Sequence, residues 1–140
     1  MNEQKFTQKS LEVIRNAQSL AVDNSSMQIE QEHLLYALLS QDNGLISELI
    51  KKMGINIDSI TREVKKVMEG LPGVSGPGRE PDKVYVSQDV DKALSSAEKN
   101  ATKMKDEYVS VEHIFIGLLE NPNSHLSEIF RTFNITKESF

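Results

Sequence analysis

Apolar residues recur at helical spacing from the first residues of the chain. In the first predicted helix they are Leu11, Val13, Ile14, Ala17, Leu20 and Ala21, and in a later one Val90, Ala93, Leu94, Ala97, Ala101 and Met104. Spacings of three and four residues are typical of an amphipathic helix with one face on a core. Thr7 and Ser87 precede these stripes, and hydroxyl residues favour N-cap positions. The pattern predicts a long helix after each of them.

A second pair of predicted helices has a wider apolar face. The paired positions are Leu34, Leu35, Leu38 and Leu39 in one half and Ile114, Phe115, Leu118 and Leu119 in the other. An apolar face this broad indicates burial on several sides. We therefore expect these to be the central helices of the fold.

Shorter helices follow each central helix. They are predicted over 45–53 and 126–133, after breaks at Asn43-Gly44 and Pro122-Asn123, with Gly54 and Asn134 as left-handed stop residues. A fourth helix is predicted over 58–69, and its counterpart begins near Thr136. Because Phe140 falls inside that last helix, we expect the natural protein to continue.

The two halves are copies of one another. Sliding the chain by 80 positions places Glu32-His33 on Glu112-His113 without a gap. The sequence predicts repeat one over about 6–70, a Gly- and Pro-rich linker over about 71–86 and repeat two over about 87–140. A unit of roughly 55 residues buries too little surface to be stable alone. We expect an all-α fold in which two pseudo-twofold-related four-helix repeats form one globular domain.

Composition narrows the class of protein. The 140 residues carry a net charge of −5 with both signs interspersed, which argues against a nucleic-acid or membrane-surface partner. There is no cysteine, and no apolar run approaches the ~20 residues of a membrane span. The linker has Gly-x-x-Gly-x-Gly spacing but lacks the Lys-Ser/Thr of a phosphate loop. We expect a monomeric, cytoplasmic domain that binds no cofactor.

The repeated Glu-His pair is the main candidate for chemistry. His33, His113 and His125 with the two glutamates could ligate a metal, but no ligand spacing of the His-x-x-x-His type is present. The alternative is that His33 and His113 lie in the first turn of the central helices and tie neighbouring loops. Glu32 and Glu112 then either favour the positive end of a helix or face a cleft that receives cations. No set of catalytic residues is evident, so we do not expect an enzyme.

Several motifs together carry a family resemblance. They are Phe6-Thr7, Ala17-Gln18, Glu32-His33-Leu34-Leu35, Leu71-Pro72-x-Val74, Ser87-Gln88-Asp89-Val90 and Val109-Ser110-Val111-Glu112-His113. The chain resembles the N-terminal Clp repeat domain of Clp chaperone ATPases, and within that family it is most similar to ClpB-type disaggregases. Glu30 departs from the pattern, since the family usually has a small hydroxyl residue there. We expect a weaker N-cap at the first central helix than at the second, where Ser110 is retained.

The resemblance implies a module that recognises substrates. It would contact unfolded or aggregated protein through a shallow groove and pass it to the ATPase ring of a hexameric full-length protein, which would hold ATP and Mg²⁺. The resemblance places Thr7, Asp106 and Glu112 at the groove edge, and Val13 and Leu94 on its floor. The alternative for Val13 and Leu94 is plain core packing.

The family also suggests a different class of function. ClpC-type N-terminal domains read phosphoarginine tags, and the corresponding residues here are Thr7, Glu32, Ser87 and Glu112. A helix N-terminus would favour the phosphate while a carboxylate pairs with the guanidinium. Docking of an adaptor protein or co-chaperone is a further alternative, for which the sequence marks no patch.

Overall fold

The computed structural model describes residues 2–73 and 84–140. In the first half, a short 3-10 turn at Glu3–Lys5 is followed by α1 (Gln8–Asp23), β1 (Gln28–Ile29), α2 (Gln31–Ser40), α3 (Leu45–Lys52) and α4 (Ile57–Glu69). In the second half are β2 (Tyr85–Val86), α5 (Gln88–Lys103), α6 (Val111–Glu120) and α7 (Ser124–Thr132). The predicted all-α class is confirmed. The linker prediction for residues 74–83 lies outside the described residues.

Helices begin and end where the sequence predicted. The Thr7 Oγ1 atom accepts the Ser10 backbone N–H at 3.1 Å, and the Ser87 Oγ atom accepts that of Val90 at 3.1 Å. Both residues are therefore N-caps, which satisfy donors that the helix itself cannot. Gly54 and Asn134 have φ angles of +82° and +58°. These left-handed residues end α3 and α7.

The last predicted helix is present as a single capped turn over 136–140. Thr136 and Ser139 bind each other, since the Thr136 N–H donates to Ser139 Oγ at 2.9 Å and the Ser139 N–H to Thr136 Oγ1 at 3.1 Å. This reciprocal pairing has the form of a capping box, which begins a helix, and the Phe140 N–H donates to the Thr136 carbonyl at 3.1 Å as in a helical turn. The Lys137 Nζ atom donates to Glu120 Oε2 at 2.7 Å, and the Phe140 ring lies 4.6 Å from that of Phe115. Repeat two thus has three complete helices and, over 136–140, one anchored turn at the place where we expected the fourth to begin.

Parallel strand pairs join the two repeats. Strands β1 and β2 pair with Gln28 opposite Tyr85, and the Ser87 N–H donates to the Ile29 carbonyl at 3.0 Å. A parallel bridge between Phe6 and Val109 mirrors this pair on the other side of the domain. The start of each repeat therefore hydrogen-bonds to the loop before the central helix of the other. These shared backbone bonds, together with one apolar core built from both repeats, join the repeats into one domain.

The central helices form the core, as predicted. Their inward side chains are almost completely buried, namely Leu34, Leu35, Leu38, Ile114, Phe115 and Leu118. Helix α6 lies so close to α5 that a Cβ atom on Gly117 would stand 2.2 Å from the Ala93 carbonyl oxygen. The equivalent positions in repeat one are Ala37 and Val13. The two helix pairs therefore differ in spacing despite their shared pattern.

Gly117→Ala should destabilise the domain by about 2 kcal/mol, because the backbone of α5 must move to accept the methyl group. This loss outweighs the ~1 kcal/mol that alanine gains over glycine within a helix. Urea unfolding measures the difference. Gly70→Ala is the matched control, since its nearest contacts would be 3.5 Å away. Equal stability of the two variants would contradict the close α5–α6 approach.

Replacing Glu120 should change how stability depends on pH. The hydrogen bond from Lys137 chiefly, with those from Ser96 and Asn100, lowers the pKa of Glu120 from 4.5 to about 2 against the opposing effect of burial. Because the pKa of Glu120 is lower in the folded than in the unfolded protein, its ionised form stabilises the fold. This stabilisation is complete above pH 4.5 and is lost as the pH falls toward 2. Glu120→Gln should cost about 1 kcal/mol at neutral pH and much less near pH 2. Unfolding free energies of the variant and the unchanged protein, measured over this pH range, test it.

Candidate substrate-binding surface

The two repeated histidines have the same structural role. The Glu30 backbone N–H donates to His33 Nδ1 at 2.9 Å, and the Ser110 N–H donates to His113 Nδ1 at 2.9 Å. Because Nδ1 accepts, a neutral ring carries its proton on Nε2. Burial lowers the pKa of His33, while the negative charge of Glu32 opposes this shift. The lowered pKa favours the neutral form of the ring.

The Nε2 atoms of these rings reach the preceding loops. His33 Nε2 lies 3.3 Å from Ser26 Oγ, and His113 Nε2 lies 2.8 Å from Asp106 Oδ2. Both rings are buried, at 0% and 3% exposure. They tie the first turn of each central helix to the loop before it, which is the structural role that the sequence suggested.

Glu30 and Ser110 form the same capping box with the histidine three residues later, so the weaker cap that we expected at the first central helix is not observed. Burial raises the pKa of Glu30, as do the charges of Glu32 and Asp89, while a hydrogen bond with Ser87 lowers it. Its Oε1 atom is buried without a hydrogen-bond partner. Ser110, at the equivalent position, places its Oγ atom 3.1 Å from His113 Nδ1.

The structure brings Thr7, Asp106 and Glu112 to one region. The Thr7 N–H donates to the Val109 carbonyl at 3.0 Å, and Asp106 is held by His113, the residue after Glu112. Asp106 keeps 47% of its side chain exposed, and Glu112 is also exposed. These polar groups therefore surround the short segment that leads into α6.

Val13 and Leu94 do not form the floor of a groove in this structure. They are 0% and 4% exposed and pack in the core, which is the alternative that their helical spacing allowed. The exposed apolar side chains of this region are Met104, at 54%, and Tyr108, at 49%. They flank Asp106 and, with it and Glu112, define what we call the α6 entry surface.

The position of Met104 corrects the sequence analysis, which placed it in the apolar stripe of α5. Helix α5 ends at Lys103, and Lys105 turns the chain away with a φ angle of +60°. Met104 therefore lies beyond the last buried turn. Tyr108 was missed altogether, although an aromatic residue among charged neighbours was a signal.

A second exposed apolar group lies at the β1–β2 pair. It consists of Met27 and Tyr85, each 71% exposed, and Val86, at 38%. The pseudo-twofold relates this group to the α6 entry surface, because the Ile29–Val86 pair is equivalent to the Val109–Phe6 bridge. Sequence reasoning did not identify it, since its residues come from two segments far apart in the chain.

The repeated glutamates have different surroundings. Glu32 is 2% exposed, and its two oxygens accept Asn123 Nδ2–H at 3.0 Å and His125 Nδ1–H at 2.5 Å. Glu112 has no hydrogen bond or ion pair to any residue in the described parts of the chain. The four residues that we considered for phosphoarginine thus form two pairs. The open pair is Thr7 and Glu112, and the closed pair is Ser87 and Glu32.

Ser87 belongs to the closed pair. It lies beside the Ile29 segment that leads to Glu32 and is 7% exposed, whereas Thr7 on the open side is half-buried. Helix N-termini attract anions at both places in principle. Only the Thr7 side is paired with a carboxylate that a ligand can reach.

Two further observations concern ligands and membranes. Across residues 2–73 and 84–140, no group of three or more His, Cys, Asp or Glu side chains is placed to hold a metal ion. In those same ranges, every helix is too short or too polar to cross a bilayer.

Known proteins support the family resemblance. Residues 5–133 match the model of the Clp repeat (R) N-terminal domain. The chaperone protein ClpB of Nitratidesulfovibrio vulgaris is 38% identical over 135 residues, which are 96% of this chain and 16% of that protein. ClpB of Porphyromonas gingivalis is 41% identical over 119 residues, which are 85% of this chain and 13% of that protein. This chain therefore spans about one sixth of the length of such relatives or less.

Solved structures agree with the fold. The Hsp104 N-terminal domain from Candida albicans superposes with a TM-score of 0.84 at 25% identity, covering 96% of this chain and 85% of that one. A ClpV N-domain in complex with a VipB peptide has a TM-score of 0.74 at 18% identity, covering 96% and 81%. The chain belongs to the family of Clp repeat N-terminal domains, and it is similar to those of ClpB chaperones.

Proposed function

We propose that this chain is the substrate-receiving N-terminal module of a ClpB-type protein disaggregase. It contacts unfolded or aggregated polypeptide in the cytoplasm and passes it to a hexameric ATPase ring, in which ATP and Mg²⁺ are bound. Similarity to ClpB over almost the whole chain supports the class of protein. The observation that supports the contact is the exposed Glu112 without a partner in the described chain, next to Thr7 and Asp106. In this proposal the module itself is a monomer without catalytic activity.

The α6 entry surface is suited to weak and unselective contact. Met104 and Tyr108 supply apolar area, while Asp106 and Glu112 supply negative charge at its edge. An apolar patch on a stable monomer stays within a few hundred Å², which limits affinity. The charges favour polypeptide segments that carry basic residues next to apolar ones.

A second candidate is a reader of phosphoarginine. It is supported by the open pair, in which the N-terminus of α1 at Thr7 would favour the phosphate and Glu112 would pair with the guanidinium. Because Glu32 and Ser87 are buried, one such site rather than two is open. We favour unfolded polypeptide, since the curated relatives are ClpB chaperones.

Adaptor docking is a third candidate, and the second apolar group supports it. Met27, Tyr85 and Val86 are exposed together. The ClpV N-domain that was solved with a VipB peptide shares this fold. Its TM-score of 0.74 supports a shared architecture, and at 18% identity the likeness extends no further than the fold.

Glu112→Gln should weaken binding of a basic unfolded protein about threefold to fivefold, because one exposed charge pair contributes up to ~1 kcal/mol. Reduced and carboxamidomethylated lysozyme is a suitable probe, and amide chemical shifts give both the affinity and the binding surface. The shifts should cluster at Thr7, Met104, Asp106 and Tyr108.

Glu32→Gln is the matched control in the other repeat. It should leave lysozyme affinity unchanged and lower the free energy of unfolding by about 1–2 kcal/mol, because it weakens a buried charge-assisted bond to His125. Equal loss of binding in both variants, or shifts that avoid the α6 entry surface, would count against the proposed contact.

Phosphoarginine titration separates the first two candidates. If unfolded polypeptide is the ligand, free phosphoarginine should produce no saturable shift at millimolar concentration. A saturable shift at Thr7 that Glu112→Gln abolishes would instead identify a tag reader. Arginine without the phosphate is the control that shows whether the helix N-terminus takes part.

A further inference from the structure

The pseudo-twofold lets one half of the chain serve as a comparison for the other. Glu32 and Glu112 occupy equivalent positions in the first turns of α2 and α6. Glu32 is 2% exposed and bound by two side chains, whereas Glu112 is exposed. The difference must come from the segments that lie over each carboxylate.

The cover over Glu32 is the connection between α6 and α7. Gln31, which is completely buried, donates from Nε2 to the Asn121 carbonyl at 2.7 Å and to that of Asp89 at 2.9 Å. Its Oε1 atom accepts the Asn123 N–H at 2.8 Å. One side chain thus draws the connection over the start of α2 and places Asn123 beside Glu32.

The equivalent cover is missing at Glu112. Val111 occupies the position of Gln31 and cannot make these hydrogen bonds. The α2–α3 connection is tied to α1 instead, because Gln41 Nε2 donates to the Lys9 carbonyl at 3.0 Å. Leu45, at the position of His125, is 40% exposed and carries no N–H donor in its side chain.

His125 completes the cover in repeat one. Its Nδ1–H donates to Glu32 Oε2 at 2.5 Å while Asn123 Nδ2–H donates to Oε1 at 3.0 Å. Two N–H donors on the two oxygens of one carboxylate form the arrangement that a basic side chain of a ligand would make. Half of the His125 side chain remains exposed, so the cover is thin.

We propose that His125 is an internal plug that, with Asn123, closes the Glu32 carboxylate to external cations. Glu112 is then the one carboxylate of the repeated pair that can receive a basic group, and His125 sets this selectivity. The role of Glu112 as the receiving carboxylate rests on the proposed function, in which Glu112 contacts basic polypeptide. Closure of Glu32 does not depend on that function and is tested separately.

Carboxylate labelling tests the plug without any protein ligand. Carbodiimide coupling to ethylenediamine, a cationic amine, is read by peptide mass spectrometry in the intact 140-residue chain. In the unchanged protein Glu112 should be labelled and Glu32 protected. In His125→Ala the rate at Glu32 should rise to that at Glu112, because its Oε2 atom loses its cover.

His125→Gln is the matched variant, since glutamine restores a side-chain N–H donor at the same place. Glu32 should again be protected from coupling in that variant. Asn123 is left unchanged because its Oδ1 atom caps α7 by accepting the Leu126 N–H at 2.9 Å. Glu120 is bound by Lys137, so an unchanged rate of labelling at Glu120 shows in the same digest that the fold is intact.

Lysozyme titration then tests selectivity. His125→Ala should add amide shifts around 29–33 to those of the α6 entry surface, so that the domain has two contact regions instead of one. Protection of Glu32 that persists in His125→Ala would overturn the plug, whatever the chain binds. Labelling as expected without lysozyme binding in any variant would support the plug and overturn the proposed function.

Discussion

The fold depends on the exchange of backbone hydrogen bonds between the two repeats. The Thr7 N–H binds the Val109 carbonyl, and the Ser87 N–H binds that of Ile29, each at 3.0 Å. These bonds place the start of each long helix against the loop before the central helix of the other repeat. A buried backbone group without a partner is costly, so either half alone would be incomplete.

The same junctions create the candidate functional surface. Where the exchanged segments meet, the polar first turn of a central helix lies next to a loop that cannot be fully covered. On one side this leaves Met104, Tyr108 and Glu112 exposed, and on the other Met27 and Tyr85. Duplication supplies two such surfaces, and sequence divergence changes them independently. Gln31 and His125 have closed the carboxylate of one side, while Val111 and Leu45 have left the other open.

Both histidines of the repeated Glu-His pair serve the fold rather than chemistry. Their Nδ1 atoms accept a backbone N–H three residues earlier, which fixes the ring and aims Nε2 at the preceding loop. In repeat two that loop residue is Asp106, so the same contact orients an acidic group at the α6 entry surface. One hydrogen bond thus both anchors the start of α6 and fixes the position of Asp106.

Local patterns in the sequence determined the helices, because apolar spacing, hydroxyl caps and left-handed stop residues act within a few residues of one another. Thr7, Ser87, Gly54 and Asn134 have the roles that these patterns predicted. Contacts between distant segments decided the rest. Periodicity shows which residues share a helix face but not what covers that face, so Val13 and Leu94 proved to be core residues. The two identical Glu-His pairs likewise could not show that one glutamate is buried and the other open. The residues that cover Glu32 are Asn123 and His125, about 90 residues away in the sequence. Exposure depends on how such distant segments pack.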